Sequence, residues 1–135
     1  MEQFNIRLES KSRGFHLITR EILSNIPDLP QQGIFHLFIQ HTSAGICINE
    51  NADPTVLMDM NNWFDRNIKE NEPYYQHVFE GADDMPAHIK SVLTGTSISI
   101  PIVNGKLALG TWQGIYLGEF RDHASGRNLI VSILE

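Results

Sequence analysis

Apolar residues fall in two rhythms along this chain, and the places where the rhythm changes mark its elements. Phe4, Ile6 and Leu8 alternate with polar neighbours over residues 2–9, the period-two pattern of a strand with one buried face. Ile18, Ile22, Leu23 and Ile26 then follow at helical spacing, with Thr19 as a cap and Pro27 and Pro30 as the stop. Gly33–Ile39 is almost wholly apolar and β-prone, which predicts a central strand, and Gly45–Ile48 continues or partners it. Asp53-Pro54 predicts a helix start, because Asp accepts from free N–H groups and Pro suits the first turn. Val56, Leu57, Met60, Trp63, Phe64 and Ile68 form the apolar stripe behind it. A second start is predicted at Asp83-Asp84-Met85-Pro86, with Ile89 and Leu93 behind it and Gly95 as the stop. Ile98–Ile102 and Lys106–Leu109 flank Asn104-Gly105, a strong hairpin signal. Ile115–Phe120 and Leu129–Leu134 add two strands around the polar loop 121–127. The pattern predicts one α+β domain over residues 1–135, mainly an antiparallel or mixed sheet with helices packed on one face.

Composition narrows the partners. Ten Lys and Arg against 16 Asp and Glu give a formal net charge of -6, a poor balance for gripping nucleic acid or an anionic membrane surface. The single cysteine, Cys47, forms no intrachain disulfide, and the N-terminal residues lack the apolar run of a signal peptide. A cytoplasmic protein with a small-molecule partner is expected, without nucleic acid or membrane.

Three polar segments interrupt the apolar pattern at strand ends and helix starts, where sites are commonly built. They are His41–Ala44 with Asn49–Asp53, Asp83–His88, and Gly110–Gly114 leading to Glu119–His123. His41, His88 and His123 offer three imidazoles for a divalent ion with one position open to water, or else three separate hydrogen-bonding histidines; the spacing leaves both open. His16 and His36 lie inside apparent strands and read as structural, and His77 beside Tyr74 and Tyr75 carries no assignment. Glu50, Asp53, Asp83, Asp84, Glu119 and Asp122 are the acid–base candidates. Asp53 and one of Asp83 and Asp84 have helix capping as a competing role, whereas Glu50 precedes the cap. Asp122 beside His123 suits the orientation of a ligand histidine. Cys47 in an apolar run reads as a small buried residue, and no nucleophile elbow, P-loop or dinucleotide fingerprint occurs.

The segments HTSAGICINENADP, GADDMPAHIKS and NGKLALGTWQGIYLGEFRDH, in this order and spacing, resemble the YjbQ family, which carries the label secondary thiamine-phosphate synthase. The resemblance runs from Phe4 to Leu134. It implies a compact α+β fold, a homotrimer, and a metal held by His41, His88 and His123. It also implies a transferase joining a pyrimidine-methyl pyrophosphate to a thiazole phosphate. Zinc is the expected ion, with magnesium an alternative for a pyrophosphate substrate. On this reading Glu50, Asp84 and Arg121 serve catalysis, with Lys90 a further charge, while Ser43, Asn49, Trp112 and Gln113 bind substrate. Relatives often carry histidine where this chain has Phe120. Two rivals stand beside this reading: a metal-dependent hydrolase of a phosphorylated or amide substrate, using Glu50 or a nearby Asp as base, and a non-enzymatic ligand-binding trimer.

Overall fold

A computed structural model describes residues Met1–Glu135. The elements run β1 (Glu2–Leu8), β2 (Gly14–Leu17), α1 (Thr19–Leu23), β3 (Gln32–Ile39), β4 (Ala44–Glu50), α2 (Pro54–Asn67), α3 (Asp84–Thr94), β5 (Ser97–Val103), β6 (Lys106–Leu107), β7 (Gln113–Glu119) and β8 (Arg127–Leu134). Every strand pairing is antiparallel. The strands form not one sheet but two, ordered β1-β8-β3-β5-β6 and β2-β7-β4.

The alternation read along the chain builds this arrangement. Ile6, Leu8, Phe35, Leu37, Ile39, Ile100, Ile102, Leu129, Val131 and Ile133 face inward from the larger sheet. They meet Ala44, Ile46, Ile115 and Leu117 of the smaller sheet, with Ile18 and Ile22 in the same core. The central strand of the smaller sheet, β7, is buried on both faces. Ile115 and Leu117 look into this core, while Tyr116 joins Phe15, Phe64, Ala87 and Phe120 in a second core beneath the helices. The layers are therefore sheet, sheet and helices, with the helical layer on one side.

Local chemistry explains most boundaries. Asp53 caps α2 as expected, accepting from Thr55 N at 2.9 Å, and Pro54 opens the helix. Asn104 and Gly105 have φ of 52° and 77°, the paired positive values of a tight hairpin turn that Asn and Gly tolerate. Two capping expectations need correction. Thr19 does not cap α1; its hydroxyl accepts from Ile115 N at 2.8 Å and ties that helix to β7. Asp83 stands at the α3 N-cap position without a side-chain cap bond, because its carboxylate is used elsewhere. In α2, Trp63 belongs to the apolar stripe but remains 52% exposed.

Gly118 and Phe120 fit one another closely in the helical layer. A Cβ on Gly118 would run into Phe120 Cζ, so the ring lies directly on bare backbone. Phe120 stacks on Phe64 at 5.9 Å and meets Phe15 edge-on at 5.7 Å. It is a core residue of the helical layer.

Candidate metal centre

Only part of each of two polar segments, Thr42 and Arg121, meets the Asp83–His88 segment at one end of the smaller sheet. Asp84, in the first turn of α3, is buried, and its carboxylate is the hub. Oδ2 lies 2.7 Å from His77 Nε2 and 3.0 Å from His88 Nε2, and Oδ1 accepts from Arg121 Nη1 at 2.7 Å. One ligand atom each from His77, Asp84 and His88 lies within 4.8 Å of the other two. His88 is placed by helical geometry, four residues and one turn after Asp84. His77 comes from the segment between α2 and α3, which has no regular structure.

The second nitrogen of His88 points to its role. His88 Nδ1 lies 2.7 Å from Thr42 O, a carbonyl that can only accept. Asp84 Oδ2 lies 3.0 Å from the other nitrogen, Nε2. A cation held at Nε2 would leave Nδ1–H free to donate to Thr42 O. A histidine anchored by a carbonyl through its far nitrogen is the usual arrangement behind a metal ligand.

Charge at the site favours a cation. Asp83 and Asp84 lie beside Arg121, which donates from Nε to Asp83 Oδ2 at 2.9 Å and from Nη2 to Glu80 O at 2.9 Å. Burial works to raise the Asp84 carboxyl, but the His77 hydrogen bond and the charges of His88 and Arg121 outweigh it and hold it below the usual carboxylate range. Burial likewise opposes ionisation of Asp83, and the Asp122 N–H and the Arg121 hydrogen bond overcome it. The hydrogen bond to Asp83 in turn raises Arg121. Both carboxylates are therefore ionised and can face positive charge at the site.

The other expected residues are distributed as follows. Of the histidine trio only His88 belongs to this cluster, and within one chain the three do not gather around a point. His41 Nε2 accepts from Asn128 N at 2.7 Å, which commits that nitrogen to β8. Burial, then the charges of Arg127 and Arg7, holds His41 below its ordinary value of 6.5, so the ring stays neutral. His123 has no hydrogen bond or ion pair to the cluster, and Asp122 turns its carboxylate to Arg13 at 3.2 Å. Arg121 is present at the site, but its guanidinium is spent on carboxylates and a loop carbonyl, so it positions Asp84. Lys90 is buried against Asp65 at 2.8 Å and lies over the Phe120 ring, away from solvent. Ser43 contributes its carbonyl, which accepts from Arg127 Nη2 at 3.1 Å.

Glu50, Asn49, Trp112 and Gln113 lie at the far end of the smaller sheet. The β4–β7 register pairs Ala44 with Glu119 and Glu50 with Gln113, so about 20 Å of strand separates the two ends. There Asn49 Oδ1 accepts from Glu50 N, the Tyr116 hydroxyl donates to Glu50 O, and Gln113 Oε1 accepts from Gly110 N. Within one chain these residues cannot act on an ion at Asp84. Cys47 is pushed up to about 11 by burial, an inert thiol as its sequence context suggests. Nothing in the sequence singles out His77, because no periodicity or cap signal marks its segment; its neighbourhood with Asp84 exists only after folding.

A two-sheet α+β protein with a His-Asp-His cluster at the mouth of its smaller sheet defines the structural class. The chain matches the family described as UPF0047 protein YjbQ-like over residues 3–135, and it belongs to that family. It is 50% identical over 133 residues to UPF0047 protein YjbQ of Escherichia coli O157:H7, covering 97% of this chain and 96% of that one. A conserved hypothetical protein from Thermus thermophilus superposes with a TM-score of 0.85 at 32% identity, covering 97% of this chain and 99% of the other. An uncharacterised YjbQ/UPF0047 family protein from Clostridium acetobutylicum gives a TM-score of 0.79 at 39% identity, covering 99% and 100%.

Proposed function

We propose that this chain is a metal-dependent enzyme whose divalent ion is held by His77, Asp84 and His88. The observation that carries this reading is the convergence of three ligand atoms, with His88 held through its other nitrogen by Thr42 O. Two imidazoles and one carboxylate are a common ligand set for zinc, and three protein ligands leave a position for a substrate oxygen or water. Such an ion supplies Lewis-acid stabilisation of charge on a phosphate oxygen. Asp84 would hold the ion and share its second oxygen with Arg121, which fixes the carboxylate's orientation. For the reaction we adopt thiamine-phosphate synthesis, the transfer the resemblance implies, with the departing pyrophosphate as the group whose charge needs stabilising. The test is formation of thiamine phosphate from the two phosphorylated substrates with and without zinc or magnesium. Asp84→Asn should lower a metal-dependent rate at least ~100-fold, the scale on which loss of a preorganised charge acts.

One observation favours a second reading. Arg121 and Lys90, the cations expected to clamp phosphates, are both engaged by carboxylates. A hydrolase acting on one substrate needs fewer cations than a synthase holding two. Release of phosphate or pyrophosphate without the thiazole partner would select it, and full metal occupancy without turnover would select a binding protein.

We also propose that the chain self-associates, as a trimer, through the outer face of the larger sheet. The outward positions of β1, β8, β3 and β5 carry one charged side chain, Arg7, and include the exposed Ile34, Phe38, Val103 and Leu134. So charge-poor a face on a chain of net charge -6 fits a covered surface. Light scattering with Phe38→Glu would test it: wild type as a trimer and the variant as a monomer is expected, and a monomeric wild type would refute it.

A further inference from the structure

A groove runs from the cluster along the outside of the helical layer, and the metal reading leaves its chemistry unused. It has a volume of about 540 Å³ and lies between the end of α2, with Trp63 and Ile68, and the outer side of α3, with Met85, Ile89 and Leu93. His88 lines it as well, so the same ring borders the groove and the proposed ion. Met85, His88, Ile89 and Val92 recur at helical spacing on one side of α3, which makes the groove linear. From Met85 to Leu93 it extends about 12 Å. No lining side chain other than His88 is ionisable, and Asn67 spends one amide N–H on Trp63 O at 2.9 Å.

We infer that the ion's ligand is an amphipathic small molecule, with an oxyanion head at His88 and an uncharged, hydrocarbon-like body lying between α2 and α3. This rests on the metal reading above and favours the single-substrate hydrolase over the synthase reaction. Charge complementarity along one axis supports it: a cation-binding cluster at one end and, beyond it, a lining without charge. A second phosphate on the body would find no cationic partner along this lining. An aromatic or branched aliphatic body instead buries apolar area against Trp63, Met85 and Ile89. The groove also offers few donors or acceptors for reading a nitrogenous ring, so selection here is by shape and apolarity.

The experiment titrates zinc-loaded protein with methylphosphonate and phenylphosphonate, which share a head and differ in body. Phenylphosphonate should bind about tenfold tighter or more, an advantage scaling with the ring area buried. Ile89→Ser should erase that advantage while changing methylphosphonate affinity by less than about twofold, since the head does not touch that side chain. Leu93→Ser, at an already exposed position, should reduce it without risk to folding. Equal affinities for the two phosphonates, or an advantage untouched by both variants, overturns the inference. So does a loss of oligomeric state in Leu93→Ser, since the groove would then be covered by a second copy. Failure to bind zinc at all would instead refute the metal reading, and calorimetry with zinc alone separates the two failures.

Discussion

Arg127→Met should be among the most damaging single changes in this chain. Arg127 of β8 and Glu119 of β7 join the two sheets, and both are buried. Arg127 Nε donates to Glu119 Oε1 at 2.7 Å, Nη2 to Oε2, and Nη2 also to Ser43 O at 3.1 Å. Removing the guanidinium leaves the Glu119 carboxylate in the interior with only the Arg121 N–H at 3.2 Å. Breaking a buried pair from one side typically costs about 3–5 kcal/mol. Against a total stability of roughly 5–15 kcal/mol for a domain, that is a large fraction. For a chain of this length it corresponds to a fall in Tm of about 10–20 °C. Replacing both partners, Glu119→Leu with Arg127→Met, removes the stranded charge and should recover most of the loss. Urea melts of wild type, the single and the double variant measure the coupling directly. A single-variant cost below about 1 kcal/mol, or a double variant no better than the single, would refute the claim that burial dominates this pair.

Other expectations follow from particular contacts. Gly118→Ala should cost about 1–3 kcal/mol by thermal melt, because its Cβ would meet the Phe120 ring; an unchanged Tm would mean the ring moves freely. Asp53→Ala should lower Tm through loss of the Thr55 N–H bond, and Asp53→Asn should lower it less. The Thr55 hydrogen bonds hold the Asp53 carboxyl below its ordinary value, so its contribution is present above that value and fades in acid; a melt series from about pH 5 to 2 should show the variants converging on wild type. His41 works in the same direction for a base. Below pH 6.5 the unfolded chain takes a proton that folded His41 refuses, so stability is full above 6.5 and declines as pH falls toward the folded value. His41→Gln should flatten the dependence of Tm between about pH 7 and 5, and an unaltered slope would contradict the assignment.

Much of the frame is legible in the residue pattern because it rests on local rules. The strand at Phe4–Leu8, the Asp53-Pro54 start and the Asn104-Gly105 turn each follow from alternation, capping or backbone freedom within a few residues. The division into two sheets is not local, since it depends on which strands pair across the chain. The short β2, which buries Phe15 against the helices, gives almost no periodic signal over its four residues. The site follows the same division. Its motifs are visible as polar segments, and Asp84, His88 and Arg121 stand where those segments meet. His77 enters from an irregular segment, and His41 is drawn to the backbone of β8 by a hydrogen bond that no sequence spacing announces. Glu50 and Trp112 stand in segments grouped with the rest as candidate site, yet the length of the β4–β7 pair carries them to the opposite end.

Metal content decides between the cluster at Asp84 and any other ligand set. Purified wild type, His77→Ala, Asp84→Ala, His88→Ala, His41→Ala and His123→Ala are each equilibrated with zinc, dialysed, and assayed by elemental analysis. One ion per wild-type chain is expected, most of it lost in the first three variants and retained in the last two. Zinc kept at full stoichiometry after removal of His77 and Asp84, or lost with His41 and His123 instead, would contradict the assignment.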